Sequence, residues 1–163
     1  MLSRVEAEDF LFHEAHLLDD GKLEQWLDLF APEGVYWLPI DDAASPDEAT
    51  SLIYDLPLRR RERVWRLLNT VVHAQTLASR TCHSITNVRV EEHLDAVRVF
   101  SSQVIYEIRP GSLHAPNVDA QPRAIVARCE HRLQQSDGRL LIGLKKLVLL
   151  NRDLPLANLT FVL

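Results

Sequence analysis

The stretch RAIVARCEHRLQQSDGRLLIGLKKLVLL, residues 123–150, decides how the chain is read. Two long runs of alternating character meet at Ser136-Asp137-Gly138. An Asp-Gly pair between such runs is the signature of a two-residue hairpin, because both turn positions need a left-handed backbone. The spacing therefore predicts strands over Arg123–Gln135 and Leu140–Leu150. Upstream, His83–Glu91 and Ala96–Ile108 carry the same alternation, so from about residue 81 the chain reads as a run of antiparallel strands. Residues 109–122, with Pro110, Pro116 and Pro122, form a loop longer than hairpins usually need.

Toward the N-terminus the period becomes helical. Ser3 and Glu6 make a capping-box pattern, in which each side chain satisfies the other residue's free backbone N–H. Ala7, Phe10, Leu11, Glu14 and Leu18 then share one face, and Gly21 offers the stop. A second short helix is expected where Leu23, Trp26, Leu27 and Phe30 recur, broken by Ala31-Pro32-Glu33-Gly34. Val35–Leu38 reads as a strand ended by Pro39, residues 40–50 as an acidic loop, Ser51–Tyr54 as a brief strand and Leu58–Leu68 as a third helix. That helix carries Arg59, Arg60, Arg61, Arg63 and Arg66, read as a solvated face or a site for an acidic partner, with Val64, Trp65 and Leu67 turned inward. Helices followed by antiparallel strands make an α+β fold, with the helices packed on one face of a curved sheet.

Composition bounds the function. A chain of 163 residues fits one domain, over 1–163. The formal charge of −5 and a pI near 5.8 argue against a nucleic-acid partner. Two cysteines, Cys82 and Cys129, are too few for a disulfide scaffold or a four-cysteine metal site. With no apolar run of ~18 residues and an acidic N-terminal stretch, the chain is expected to be cytoplasmic and not membrane-bound.

Candidate chemistry is sparse. His13 and His16, with Asp20, have the residue types of a metal set, but they lie opposite the apolar stripe and are expected to face solvent. Glu14 is different, because it falls on the apolar face, where a carboxylate must be paired, hydrogen-bonded or protonated. It is either a general base or, more in keeping with its isolation, a buried structural anchor for an Arg, His or backbone donor. Cys129-Glu130-His131 is half of a Rieske pattern, and no second cysteine follows it, so Cys129 is expected in the core. No nucleophile elbow or glycine-rich phosphate cradle occurs. Trp26, Trp37 and Trp65 read as core or interface anchors.

An ordered set of segments resembles the small, or beta, subunits of bacterial aromatic-ring-hydroxylating dioxygenases. These are FLFHEAHLLDD (10–20), WLDLFA (26–31), VYWLP (35–39), SLIY (51–54), RVWRL (63–67), RTCHSITNV (80–88), KKLVLLN (145–151) and PLANLTF (155–161). The compact length is closest to the benzoate and anthranilate type. The resemblance implies a cone-shaped, nuclear-transport-factor-2-like (NTF2-like) fold and a structural, non-catalytic role in aromatic catabolism. It implies that the Rieske [2Fe-2S] cluster and mononuclear Fe(II) belong to a partner large (alpha) subunit, in an α3β3 hexamer fed with electrons from NADH through a reductase. No cofactor or metal is then expected in this chain, and Trp37, Trp65, Arg80 and His83 are candidates for the subunit interface. The competing expectation is a free-standing isomerase or dehydratase, which would need Glu14, Tyr36, Asp28 or His83 to converge on a cavity in the cone.

Overall fold

A computed structural model describes residues 2–42, 45, 50–70, 77–93, 96–111, 115–118, 120–155, 159 and 161–163. The expectations for the 40–50 loop, the 109–122 loop and the PLANLTF segment fall partly outside these residues. Among the described residues, three helices and six strands follow one another as α1 (Arg4–Asp19), α2 (Leu23–Leu27), β1 (Phe30–Pro39), β2 (Ser51–Asp55), α3 (Pro57–Asn69), β3 (Arg80–Glu92), β4 (Val97–Ile108), β5 (Arg123–Ser136) and β6 (Arg139–Leu149).

Local chemistry sets the ends of these elements. Ser3 Oγ accepts the Glu6 N–H at 3.2 Å while the Glu6 carboxylate accepts the Ser3 N–H at 2.8 Å, completing the capping box. At the other end of α1, Gly21 takes φ +68°, and the N–H groups of Gly21 and Lys22 donate to the carbonyls of Leu18 and Leu17. That 5→2 and 6→1 pair is a Schellman closure, which glycine makes without a Cβ penalty. The β5–β6 hairpin turns through Asp137 (φ 49°) and Gly138 (φ 75°), the two left-handed positions that its sequence predicts.

The strands form one sheet in the order β2-β1-β6-β5-β4-β3. All neighbours are antiparallel except β1 and β6, which run parallel. One face of the sheet is the core: Val99 and Ile105 of β4, Ile125, Ala127, Cys129 and Leu133 of β5, and Ile142, Leu147 and Leu149 of β6 meet Ala7, Leu11 and Leu18 of α1. The C-terminal residues Leu159, Phe161, Val162 and Leu163 pack against the same cluster. This is the α+β arrangement expected, with the N-terminal helices on one face of a mainly antiparallel sheet.

Two expectations need correction. The second helix stops at Leu27 rather than Phe30, and the segment read as its breaker lies inside a ten-residue strand. In the parallel ladder, Phe30 pairs with Ile142 and Val35 with Leu144, so the register skips between them. Pro32, which cannot donate to a ladder, falls in that irregular stretch. Gly34 is obligatory there, since a Cβ would stand 2.4 Å from the Ile142 carbonyl oxygen. The second correction concerns α3. Its inward stripe is Arg60, Val64 and Leu67, at i, i+4 and i+7, whereas Trp65 is 61% exposed. Trp65 is one residue, or about 100°, off that stripe.

Replacing Gly34 with Ala forces the β1–β6 ladder apart. Gly34→Ala is expected to lower stability by roughly 1–3 kcal/mol, the usual cost of overpacking. A chemical denaturation midpoint indistinguishable from the unmodified protein would contradict this account of the close approach.

Candidate functional site

Alternation along β5 turns His131 to the core, and its register partner on β6 is Lys145. Cross-strand partners lie about 5 Å apart on one face, so the pair presents two nitrogens to whatever covers them. Glu14 of α1 covers them. Its carboxylate accepts hydrogen bonds from Lys145 Nζ, His131 Nε2 and the indole N–H of Trp26, each at 2.9 Å. Glu14, His131 and Lys145 are 2%, 0% and 1% exposed. Burial alone would raise the carboxyl pKa, but Lys145 and His131 outweigh it and hold Glu14 well below the usual carboxylate range.

An aromatic box completes the cluster. The Trp26 ring meets Phe30 edge-on at 4.9 Å and Tyr36 at 5.6 Å, and the Lys145 ammonium stands 5.8 Å from the Trp26 ring centre. Tyr36 Oη accepts the Leu163 N–H at 3.1 Å, and burial pushes the phenol pKa upward. A carboxylate, an imidazole and an amine in contact have the residue types of acid–base catalysis. Here they are sealed from solvent, and Glu14 is too weak a base to accept a proton near neutrality. The arrangement is a clamp that ties α1 and α2 to β5 and β6.

A second carboxylate fastens the far end of α1. Asp19 accepts hydrogen bonds from Thr81 Oγ1 at 2.8 Å and the His83 N–H at 2.9 Å, and lies 2.6 Å from His83 Nδ1. Its burial opposes ionisation, but the His83 and Thr81 bonds prevail and its pKa falls below the ordinary value. At the same end of the β3–β4 pair, buried Glu107, the register partner of Thr81, binds Ser79, Arg109 and Arg123. On the outer sheet surface, Lys146 donates to the Asp42 carboxylate and backbone carbonyl at 2.8 Å each and lies over the Trp37 ring.

Residues 13–155 match the family described as "Ring hydroxylating beta subunit". The small oxygenase component of the p-cumate 2,3-dioxygenase system of Pseudomonas putida is 37% identical over 149 residues, covering 89% of this chain and 78% of that protein. The 2-halobenzoate 1,2-dioxygenase small subunit of Burkholderia cepacia is 39% identical over 92 residues, 53% of this chain and 56% of that one. The chain belongs to the ring-hydroxylating dioxygenase beta subunits. The crystal structure of the benzoate 1,2-dioxygenase beta subunit from Burkholderia mallei shares its fold, with a TM-score of 0.75 and 23% identity over 99% of both chains. The fold is thus the NTF2-like cone, and the chain is the small, structural component of an oxygenase.

With the beta subunit's identity in hand, the sequence candidates sort themselves. Glu14 is buried, and both its basic partners sit on the strands that the opening stretch encodes. Lys145 was missed, although adjacent lysines on a strand must point to opposite faces, so one of Lys145 and Lys146 had to be inside. Glu14 and Tyr36 share the interior cluster, while Asp28 is exposed beside α2 and His83 is engaged by Asp19, so the four do not converge. His13, His16 and Asp20 are exposed. Among the described residues, no group of three or more His, Cys, Asp or Glu is placed to hold a metal ion. Cys129 is buried, and burial pushes its thiol up to about 12. Arg80 is exposed at the start of β3, and Trp37 is buried with its indole N–H on Ser51 Oγ at 2.8 Å. Among the described residues, no helix is long and apolar enough to cross a membrane.

Glu14→Gln should cost about 3–5 kcal/mol, because it leaves a buried ammonium without its counter-charge. The folded pKa of Glu14 lies below its unfolded value near 4.5, so its contribution is full above that pH and fades as pH falls below it. Urea midpoints measured from pH 7 to pH 3 should therefore show the gap between unmodified protein and Glu14→Gln narrowing below pH 4.5. A gap that stays constant or widens would contradict an ionised Glu14.

Proposed function

We propose that this beta subunit is a single domain that props up a large subunit carrying the Rieske [2Fe-2S] cluster and the mononuclear iron, in an α3β3 assembly in the cytoplasm. The assembly adds both atoms of dioxygen to an aromatic ring, with electrons delivered from NADH by a reductase. The observation that carries this reading is the sealed interior: His131 and Lys145 both bond Glu14, and all three are closed to solvent. A chain so built contributes rigidity and surface rather than a reacting group. Relatives are named for p-cumate, 2-halobenzoate, toluate and benzoate, which favours an aromatic carboxylate as the substrate of the assembled oxygenase. Of the interface candidates, Trp65 and Arg80 have surface left to bury, whereas Trp37 and His83 act from inside by fixing β1 and the start of β3.

Co-expression with a Rieske large subunit is expected to yield an equimolar complex whose mass fits three copies of each chain. With reductase and NADH it should convert a benzoate-class substrate to a cis-dihydrodiol and leave a neutral hydrocarbon largely untouched. A monodisperse chain that captures no large subunit would overturn the proposal. An equimolar complex that prefers the hydrocarbon would overturn only its substrate class.

A further inference from the structure

The surface around α3 is unlike the rest of this acidic chain. Between α2, the start of β1, α3 and the β5–β6 hairpin opens a cleft of about 760 Å³. Phe30, Pro32 and Leu141 line it together with Arg60, Arg61 and Arg139. Glu24 and Asp28 stand on the α2 rim. Neither carboxylate forms an ion pair with these arginines among the described residues. Arg60 is fixed in place: one Nη donates to the Gly34 carbonyl, the guanidinium lies 3.9 Å over the Phe30 ring, and its buried Nε has no hydrogen-bond partner. Burial and the neighbouring Arg61 pull its pKa down to about 10, as expected of a cation lacking full compensation.

Arg61 also lines a second hollow of about 400 Å³, formed with Glu62, Trp65 and Arg66 on the outer face of α3. Along that face Leu58, Trp65 and Leu68 are 68%, 61% and 47% exposed. Positions 58, 61, 65 and 68 follow the helical repeat, so the apolar stripe and the arginine cleft form one continuous surface through Arg61. Tryptophan and arginine beside exposed leucines is the composition of a protein interface core. Among the described residues Arg61 and Arg139 form no ion pair, which leaves both guanidinium groups free to receive carboxylates from outside.

We infer that the arginine cleft and the Leu58/Trp65/Leu68 face of α3 together dock an acidic, apolar segment of the large subunit, its carboxylates entering between Arg61 and Arg139 and its apolar side chains covering Trp65. The inference rests on the beta-subunit reading above and adds which surface is used and the chemistry of what binds it.

The test uses the full chain co-expressed with a large subunit, comparing Arg61→Glu/Arg139→Glu, Arg61→Lys/Arg139→Lys and Trp65→Ala with the unmodified protein. All three replaced side chains are exposed, so the isolated variants should keep the unmodified thermal midpoint. The glutamate pair and Trp65→Ala are each expected to weaken the complex by about 10- to 100-fold, as interface hot spots do. The lysine pair should assemble like the unmodified chain, and raising salt should weaken unmodified assembly more than that of the glutamate pair. Normal assembly of both the glutamate pair and Trp65→Ala overturns the inference while leaving the subunit reading intact. Equal loss with lysine and glutamate overturns the charge argument. Variants that alter only self-association of the isolated chain assign the face to a second copy instead. Failure of the unmodified chain to bind any large subunit removes the underlying reading itself.

Discussion

Everything in the cone depends on one buried negative charge having enough donors. Glu14 sits on the inward face of α1, where an isolated carboxylate would be strongly destabilising. It is tolerated because three elements bring a donor to it: Trp26 from α2, His131 from β5 and Lys145 from β6. A buried pair of this kind gains little over an apolar replacement of the same shape, since desolvation offsets most of the attraction. What it adds is geometry. Sliding β5 by one residue would turn His131 outward, and rotating α1 by one residue would strand the Glu14 charge. Alternative registers that satisfy apolar packing alone are thereby penalised.

The same logic recurs at the edges of the helix layer. Asp19 reaches the start of β3 through Thr81 and His83, and Asp55 holds Arg63 of α3. Helix and sheet thus meet through directed charged contacts at the N-terminal cluster, at the end of α1 and under α3, with apolar packing between. A helix layer fixed at three separated points presents its outer face as a rigid surface. Rigidity matters for a component that must bind a partner, because side chains already held in place lose less entropy on docking.

How much of this was legible in the sequence follows the range of each interaction. The capping box at Ser3 and Glu6, the Gly21 stop and the Asp137-Gly138 turn are fixed by neighbours in the chain, and all are read directly. The burial of Glu14 follows from the helical period alone. Its partners lie 117 and 131 residues away, and nothing local announces that contact. The true extent of β1 was hidden for the same reason: a proline and a glycine that look like a breaker are a strand once β6 supplies a parallel neighbour and a close backbone approach. Trp65 shows the converse error. Hydrophobicity argued for the inside, while the spacing of Arg60, Val64 and Leu67 put the arginine in and the tryptophan out.

That inversion on α3 bears most directly on function. An arginine buried at 4% exposure and a tryptophan exposed at 61%, five positions apart on one helix, oppose the usual partition of side chains. Arg60 has a structural reason to be inside, namely the Gly34 carbonyl left accessible by the irregular β1–β6 ladder and the face of Phe30. Among the described residues, none gives Trp65 such a reason to be outside. Apolar surface of that kind adds stability only when something covers it. The family to which the chain belongs implies a larger partner, and the docking inferred above gives this surface a cover of complementary charge. The interior therefore explains why the fold is stable and unique, while the outer face of α3 explains why this chain is a component.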